Sequence, residues 1–127
     1  VNAAGSTKRR PTVRRFQLDG RRRHKLLTSA DVARLPPLRG QEGRGDAAIA
    51  HVKLFGGGRF TFYITEFDGD DELYGFTISP LGPDCDEWGY SSLEALAEMA
   101  SPTGVPLIER DLWFDPASVR ECREKHL

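Results

Sequence analysis

The stretch Arg59–Ser79, RFTFYITEFDGDDELYGFTIS, decides how this chain folds. Two runs rich in β-branched and aromatic residues flank the turn-forming segment Asp68-Gly69-Asp70-Asp71, so the stretch reads as a β-hairpin. It holds four of the seven phenylalanines (Phe60, Phe62, Phe67, Phe76) and two of the three tyrosines (Tyr63, Tyr74). Alternation puts Phe60, Phe62, Ile64 and Glu66 on one side of the first strand. On the second strand Glu72, Tyr74, Phe76 and Ile78 share a side. A three- or five-residue loop pairs Phe60 with Ile78, Phe62 with Phe76 and Ile64 with Tyr74. A two-residue turn instead sets Gly75 against Phe62. Cross-strand apolar pairs contribute about 0.2–1 kcal/mol each, which favours the longer loop. That register also sets Glu66 and Glu72 face to face.

Working outward, Ala48–Phe55 alternates as a strand, and Gly56-Gly57-Gly58 turns it into the hairpin, giving a three-stranded antiparallel meander. Trp88-Gly89-Tyr90 adds a short strand. Ser91 and Glu94 fit a capping box that opens a helix over Ser92–Ala100, with Leu93, Leu96, Ala97 and Ala100 at helical spacing. Leu107–Phe114 reads as a strand with Ile108, Arg110, Leu112 and Phe114 on one face. Asp115-Pro116 then opens a last helix toward His126. On the N-terminal side, Thr28 or Ser29 caps a short helix through Leu35, stopped by Pro36-Pro37. The expected fold class is α+β: an antiparallel sheet of four or five strands with one or two helices packed on it.

The chain has 127 residues, 39% of them hydrophobic, which suits one small domain. No apolar run approaches a membrane span and no signal-peptide pattern opens the chain, so a cytoplasmic setting without membrane contact is expected. The net charge of −1 conceals a split. Residues 1–25 carry nine Lys/Arg and one acid, for +8, whereas residues 26–127 carry nine Lys/Arg and eighteen acids, for −9. The expected organisation is a basic, disordered tail over 1–25 and a single acidic domain over 26–127. The clusters Lys8-Arg9-Arg10, Arg14-Arg15 and Arg21-Arg22-Arg23 could neutralise phosphates, in which case binding would be salt-sensitive. The competing reading is a solvated tail without function.

Candidate chemistry centres on carboxylates. Asp68, Asp70 and Asp71 at the hairpin tip are candidate ligands for a divalent cation; no other cofactor is expected. Glu66, Asp68, Glu109 and Asp111 are the candidate catalytic acids. The tip misses the EF-hand pattern, since glycine is absent at the sixth loop position and Ser79 stands where a bidentate Glu belongs. Arg110 offers a different account. It interrupts an apolar strand face, and a buried guanidinium needs a carboxylate, so a structural ion pair with Glu66 or Glu72 is the preferred reading. His51 reads as an outward strand residue. Cys85 lies between Asp84 and Asp86, which disfavours a thiolate, and two cysteines make no disulfide framework.

An ordered set of motifs carries a resemblance from Leu35 onward: Leu35-Pro36-Pro37-Leu38, Val52-Lys53-Leu54-Phe55, Glu66-Phe67-Asp68-Gly69 with Phe76, Gly89-Tyr90-Ser91-Ser92-Leu93, and Pro106-Leu107-Ile108-Glu109-Arg110-Asp111-Leu112. By these the chain resembles the DUF2958 family of bacterial plasmids and phages. The resemblance implies a mobile-element context and no mechanism. The expected function is a non-enzymatic interaction module whose acidic domain contacts a basic protein surface. The alternatives are a metal-dependent hydrolase or nuclease on the hairpin-tip acids, and nucleic-acid binding through the tail.

Overall fold

The computed structural model describes residues 14–126. Four helices, α1 (Asp19–Arg22), α2 (Ser29–Arg34), α3 (Leu93–Glu98) and α4 (Val119–His126), surround two antiparallel sheets. The larger has five strands, β2 (Val52–Gly56), β3 (Thr61–Phe67), β4 (Glu72–Ile78), β5 (Glu87–Ser92) and β6 (Ile108–Arg110), in the spatial order β5-β4-β3-β2-β6. The smaller pairs β1 (Ile49–Ala50) with β7 (Ala117–Ser118). The fold is α+β, and the meander expected from the glycine turn and the hairpin is its centre.

Strand β3 is buried along its whole length because helices cover both faces of the sheet. On one face Val52, Leu54, Phe62, Ile64, Phe67 and Leu73 pack with Leu93, Leu96 and Ala97 of α3 and with Leu26, Leu27 and Leu35. On the other, Tyr63, Phe76 and Ile78 pack with Val119 and Cys122 of α4. Two-sided burial is why simple alternation fails to name a solvent face for this strand.

The hairpin register differs from both sequence alternatives. Thr61 faces Ile78, Tyr63 faces Phe76 and Ile64 faces Gly75, and beyond an irregularity at Thr65 Glu66 faces Tyr74. Thr65 is the extra residue of a β-bulge, and its hydroxyl donates to the Tyr74 carbonyl at 3.0 Å. The bulge keeps Phe67 on the face of Phe62 and Ile64 and turns Glu66 to the opposite face. Glu66 and Glu72 are therefore not juxtaposed. Gly75 is dictated by this register, because a Cβ there would lie 2.0 Å from the Tyr63 carbonyl oxygen. Gly75→Ala should cost about 1–3 kcal/mol in chemical denaturation as the strands are pushed apart. Parent-like stability would contradict the Ile64–Gly75 pairing.

Several boundaries are corrected. The α3 cap is Ser92, whose hydroxyl accepts from the Ala95 amide, because β5 runs through Ser91 to pair with Leu73. Strand β6 ends at Arg110; beyond it Leu112 is exposed, and Phe114 packs on the opposite face from Ile108. The last helix begins at Val119, since Ala117 and Ser118 first pair with β1. Of the two expected caps for α2, Thr28 is the one used, in a capping box with Asp31.

Of the tail expected over residues 1–25, the structure describes residues 14–25. Residues 14–25 lie against the domain: Arg22 is buried in α1 and donates to the carbonyls of Ile108 and Ala97, each at 2.8 Å. It also pairs with Asp19 at 2.9 Å. Burial lowers the guanidinium pKa, and Asp19 and Glu109 oppose that shift. Arg14 pairs with Glu94 at 3.1 Å and Asp71 at 3.6 Å, and Arg21 reaches the Thr103 carbonyl. Arg15 and Arg23 are exposed. Lys8, Arg9 and Arg10 lie outside the described residues.

Candidate functional site

The residues singled out as an ion pair are separate in the structure. Arg110 makes two hydrogen bonds to the carboxylate of Asp31, the second at 3.0 Å, and a third to the Leu26 carbonyl at 3.3 Å. The expectation of a Glu66 or Glu72 partner is corrected for a geometric reason. Arg110 pairs with Leu54 across β6–β2 and so faces the sheet side covered by α2, whereas the bulge points Glu66 to the other side. Asp31 is fully buried and also receives Arg34 at 2.8 Å and the Thr28 amide and hydroxyl at 2.8 and 2.9 Å. Burial alone would push its carboxyl up; hydrogen bonds from Arg110 and Thr28 outweigh that and hold it below its ordinary value.

The hairpin-tip acids serve the local backbone. Asp68 accepts from the amides of Asp70, Asp71 and Glu72 at 2.8, 2.8 and 3.0 Å. Its slight burial favours protonation, yet these amides hold the carboxyl below its usual range. Asp71 accepts from the Glu94 amide at 2.8 Å and the Ser92 hydroxyl at 2.7 Å, tying the tip to the start of α3. Asp70 and Glu72 are exposed. Glu109 is exposed on β6, and Asp111 sits 3.6 Å from Lys53. Among the described residues no three His, Cys, Asp or Glu side chains converge to hold a metal ion. The candidates Glu66, Asp68, Glu109 and Asp111 are not brought together.

A groove of about 520 Å3 forms where the bulge turns Glu66 outward. Its floor is the Glu66 carboxylate, 5% exposed, with Oε1 accepting the Arg39 amide at 2.7 Å and Oε2 the Gln41 amide at 3.0 Å. Arg39 adopts a left-handed backbone, φ 71°, and that amide contact helps hold it there. Gln41 fixes the loop from below: its amide nitrogen donates to the carbonyls of Ile49 and Thr65 at 2.8 and 3.0 Å, and its oxygen accepts from the Ile49 amide at 2.7 Å. The far wall is aromatic. Tyr74 and Trp88 stack at 5.6 Å and 16°, and Tyr90 leans on Tyr74 at 4.8 Å. Strand pairing sets these rings together, with Phe76 opposite Trp88 and Tyr74 opposite Tyr90. Burial, then Tyr90 and Glu66, raise the Tyr74 hydroxyl above its usual pKa. Tyr90 is 58% exposed, a large ring left open to solvent beside an open strand edge. Among the described residues nothing pairs with the outer edge of β5.

A second cavity, of about 470 Å3, lies between β3 and α4. Tyr63 Oη lies 3.2 Å from His126 Nδ1 there, and burial pushes the phenol up to about 12. Burial also raises the Cys122 thiol, while burial, Lys53 and Arg59 lower His126. All three shifts favour the uncharged form, which for the Cys122 thiol is the opposite of what activates a nucleophile. His51 lies between β1 and β2; its Nδ1 is buried without a hydrogen-bond partner, and burial and Arg34 lower its pKa.

Sequence reasoning missed Gln41, Trp88 and Tyr90 as site residues. For the two rings a signal existed: Trp88 and Tyr90 alternate on a strand two positions apart, as do Tyr74 and Phe76. Comparison with known proteins adds one match. A family model described as "Protein of unknown function (DUF2958)" covers residues 26–120. No curated protein and no solved structure matches the chain.

Proposed function

We propose that this chain, which belongs to the DUF2958 family, is a non-enzymatic interaction module that takes an extended, basic segment of a partner protein. One observation carries the reading: the open edge of β5 presents the exposed ring of Tyr90, and the groove beside it runs inward past Tyr74 to the buried Glu66 carboxylate of β3. An unpaired strand edge offers main-chain hydrogen bonds to an added strand, and a neighbouring groove supplies side-chain selection. The charge of −9 over residues 26–127 favours a cationic partner and speeds its encounter. The proposal includes the plasmid or phage setting that the resemblance implies. A reducing cytoplasm is also part of it, in keeping with the free thiols of Cys85 and Cys122. No helix among the described residues is long and apolar enough to cross a membrane.

Peptides of equal length and basic, neutral or acidic composition test this by fluorescence anisotropy. The basic series should bind, the acidic series should not, and added salt should weaken the complex. Equal binding by all three, or none, would contradict the proposal. Capture from a lysate of the source cell should survive nuclease treatment; a complex lost on nuclease digestion would favour nucleic-acid binding instead.

A further inference from the structure

We infer that the groove between the Arg39–Gln41 backbone and the Tyr74–Trp88–Tyr90 wall is a seat for an arginine side chain. The assignment rests on the interaction reading above and names the chemistry the partner presents. Each Glu66 carboxylate oxygen accepts one backbone amide. A carboxylate has about four acceptor positions, so one remains on each oxygen, the pattern a planar guanidinium fills with two parallel hydrogen bonds. Tyr90, 58% exposed, lines the same groove as Glu66 and offers an open ring there, and a planar guanidinium stacks on a ring where a compact ammonium does not. Among the groove's lining residues Glu42 and Glu66 carry negative charge, while Arg39 is the cation and lies 3.9 Å from Glu42 at the rim. The floor is thus left to an incoming positive group. A volume of about 520 Å3 accommodates one such side chain with neighbouring backbone.

The test uses Trp88 as its own reporter. The chain has two tryptophans, and Trp113 is 92% exposed, so Trp113→Phe leaves Trp88 as the fluorophore without disturbing packing. Nα-acetyl-arginine amide should change Trp88 emission saturably, and Nα-acetyl-lysine amide should bind roughly fivefold more weakly. Tyr90→Ala should weaken the arginine response roughly tenfold, while the melting curve shifts only by the loss of one half-exposed ring contact with Tyr74 and stays cooperative. Glu66→Gln should weaken it at least as much. Because Glu66 also holds the loop backbone, that variant counts only alongside Tyr90→Ala. No saturable response to the arginine amide, or an undiminished one in Tyr90→Ala, would overturn the seat. If basic peptides bind the parent and the arginine amide gives no response, the seat fails and the interaction module stands. If the arginine amide binds and no basic peptide does, the module reading fails and the seat stands.

Discussion

Replacing Arg110 with alanine is expected to destabilise the domain by about 3 kcal/mol, because it strips the more buried of two cations from a carboxylate that no solvent reaches. Asp31 would keep Arg34 and Thr28, but it would lose the guanidinium that joins α2 to β6. Arg110→Lys should recover only part of the loss, since an ammonium cannot reproduce two parallel contacts. Asp31→Asn should cost a comparable amount, and the double variant less than the sum, as expected for one shared interaction. The pair also sets an acid limit. The Asp31 carboxyl is held below its ordinary value in the folded state. Its contribution is therefore fully present above the unfolded value near 3.9 and is lost as pH falls through the folded one. Urea denaturation between pH 7 and pH 3 should show a steeper acid-side decline for the parent than for Asp31→Asn. Identical pH profiles would contradict this account of the pair.

Arg22→Ala carries the second large effect. The side chain is fully inaccessible, and its removal leaves the carbonyls of Ile108 and Ala97 without these donors. Each orphaned group costs about 1–3 kcal/mol. Asp19 would also lose the cation beside it, so α1 should detach from β6 and α3. Truncation of residues 1–25 should lower the melting temperature for the same reason, in contrast to the removal of a solvated tail. A truncated domain that melts like the parent would refute the structural role of Arg22.

Arg22 shows why charge counting reached its limit. In sequence it sits inside Arg21-Arg22-Arg23, three chemically identical residues, and only the helical turn from Asp19 sends the middle one inward. Asp31 was hidden differently. It lies 79 residues from Arg110, and an acid in the first turn of a short helix suits the helix N-terminus without any distant partner. The hairpin, the glycine turn into it and the Thr28 cap were legible because each is written in consecutive residues. The bulge at Thr65 was not, since a threonine hydroxyl bridging to the Tyr74 carbonyl leaves no mark on the alternation. That single extra residue moved Glu66 from the expected Arg110 contact to the floor of the groove. The aromatic wall needed β5 to be recognised as a full six-residue strand, of which the sequence marked three residues.

Nuclear magnetic resonance mapping on the 15N-labelled chain tests the interaction surface most directly. Titration with an extended arginine-containing peptide should shift the amides of Glu87–Ser92, Arg39, Gln41 and Glu66. The outward amides of β5 should also become protected from hydrogen exchange as a strand is added. Shifts confined to residues far from this edge, or no shifts at saturating peptide, would contradict the account.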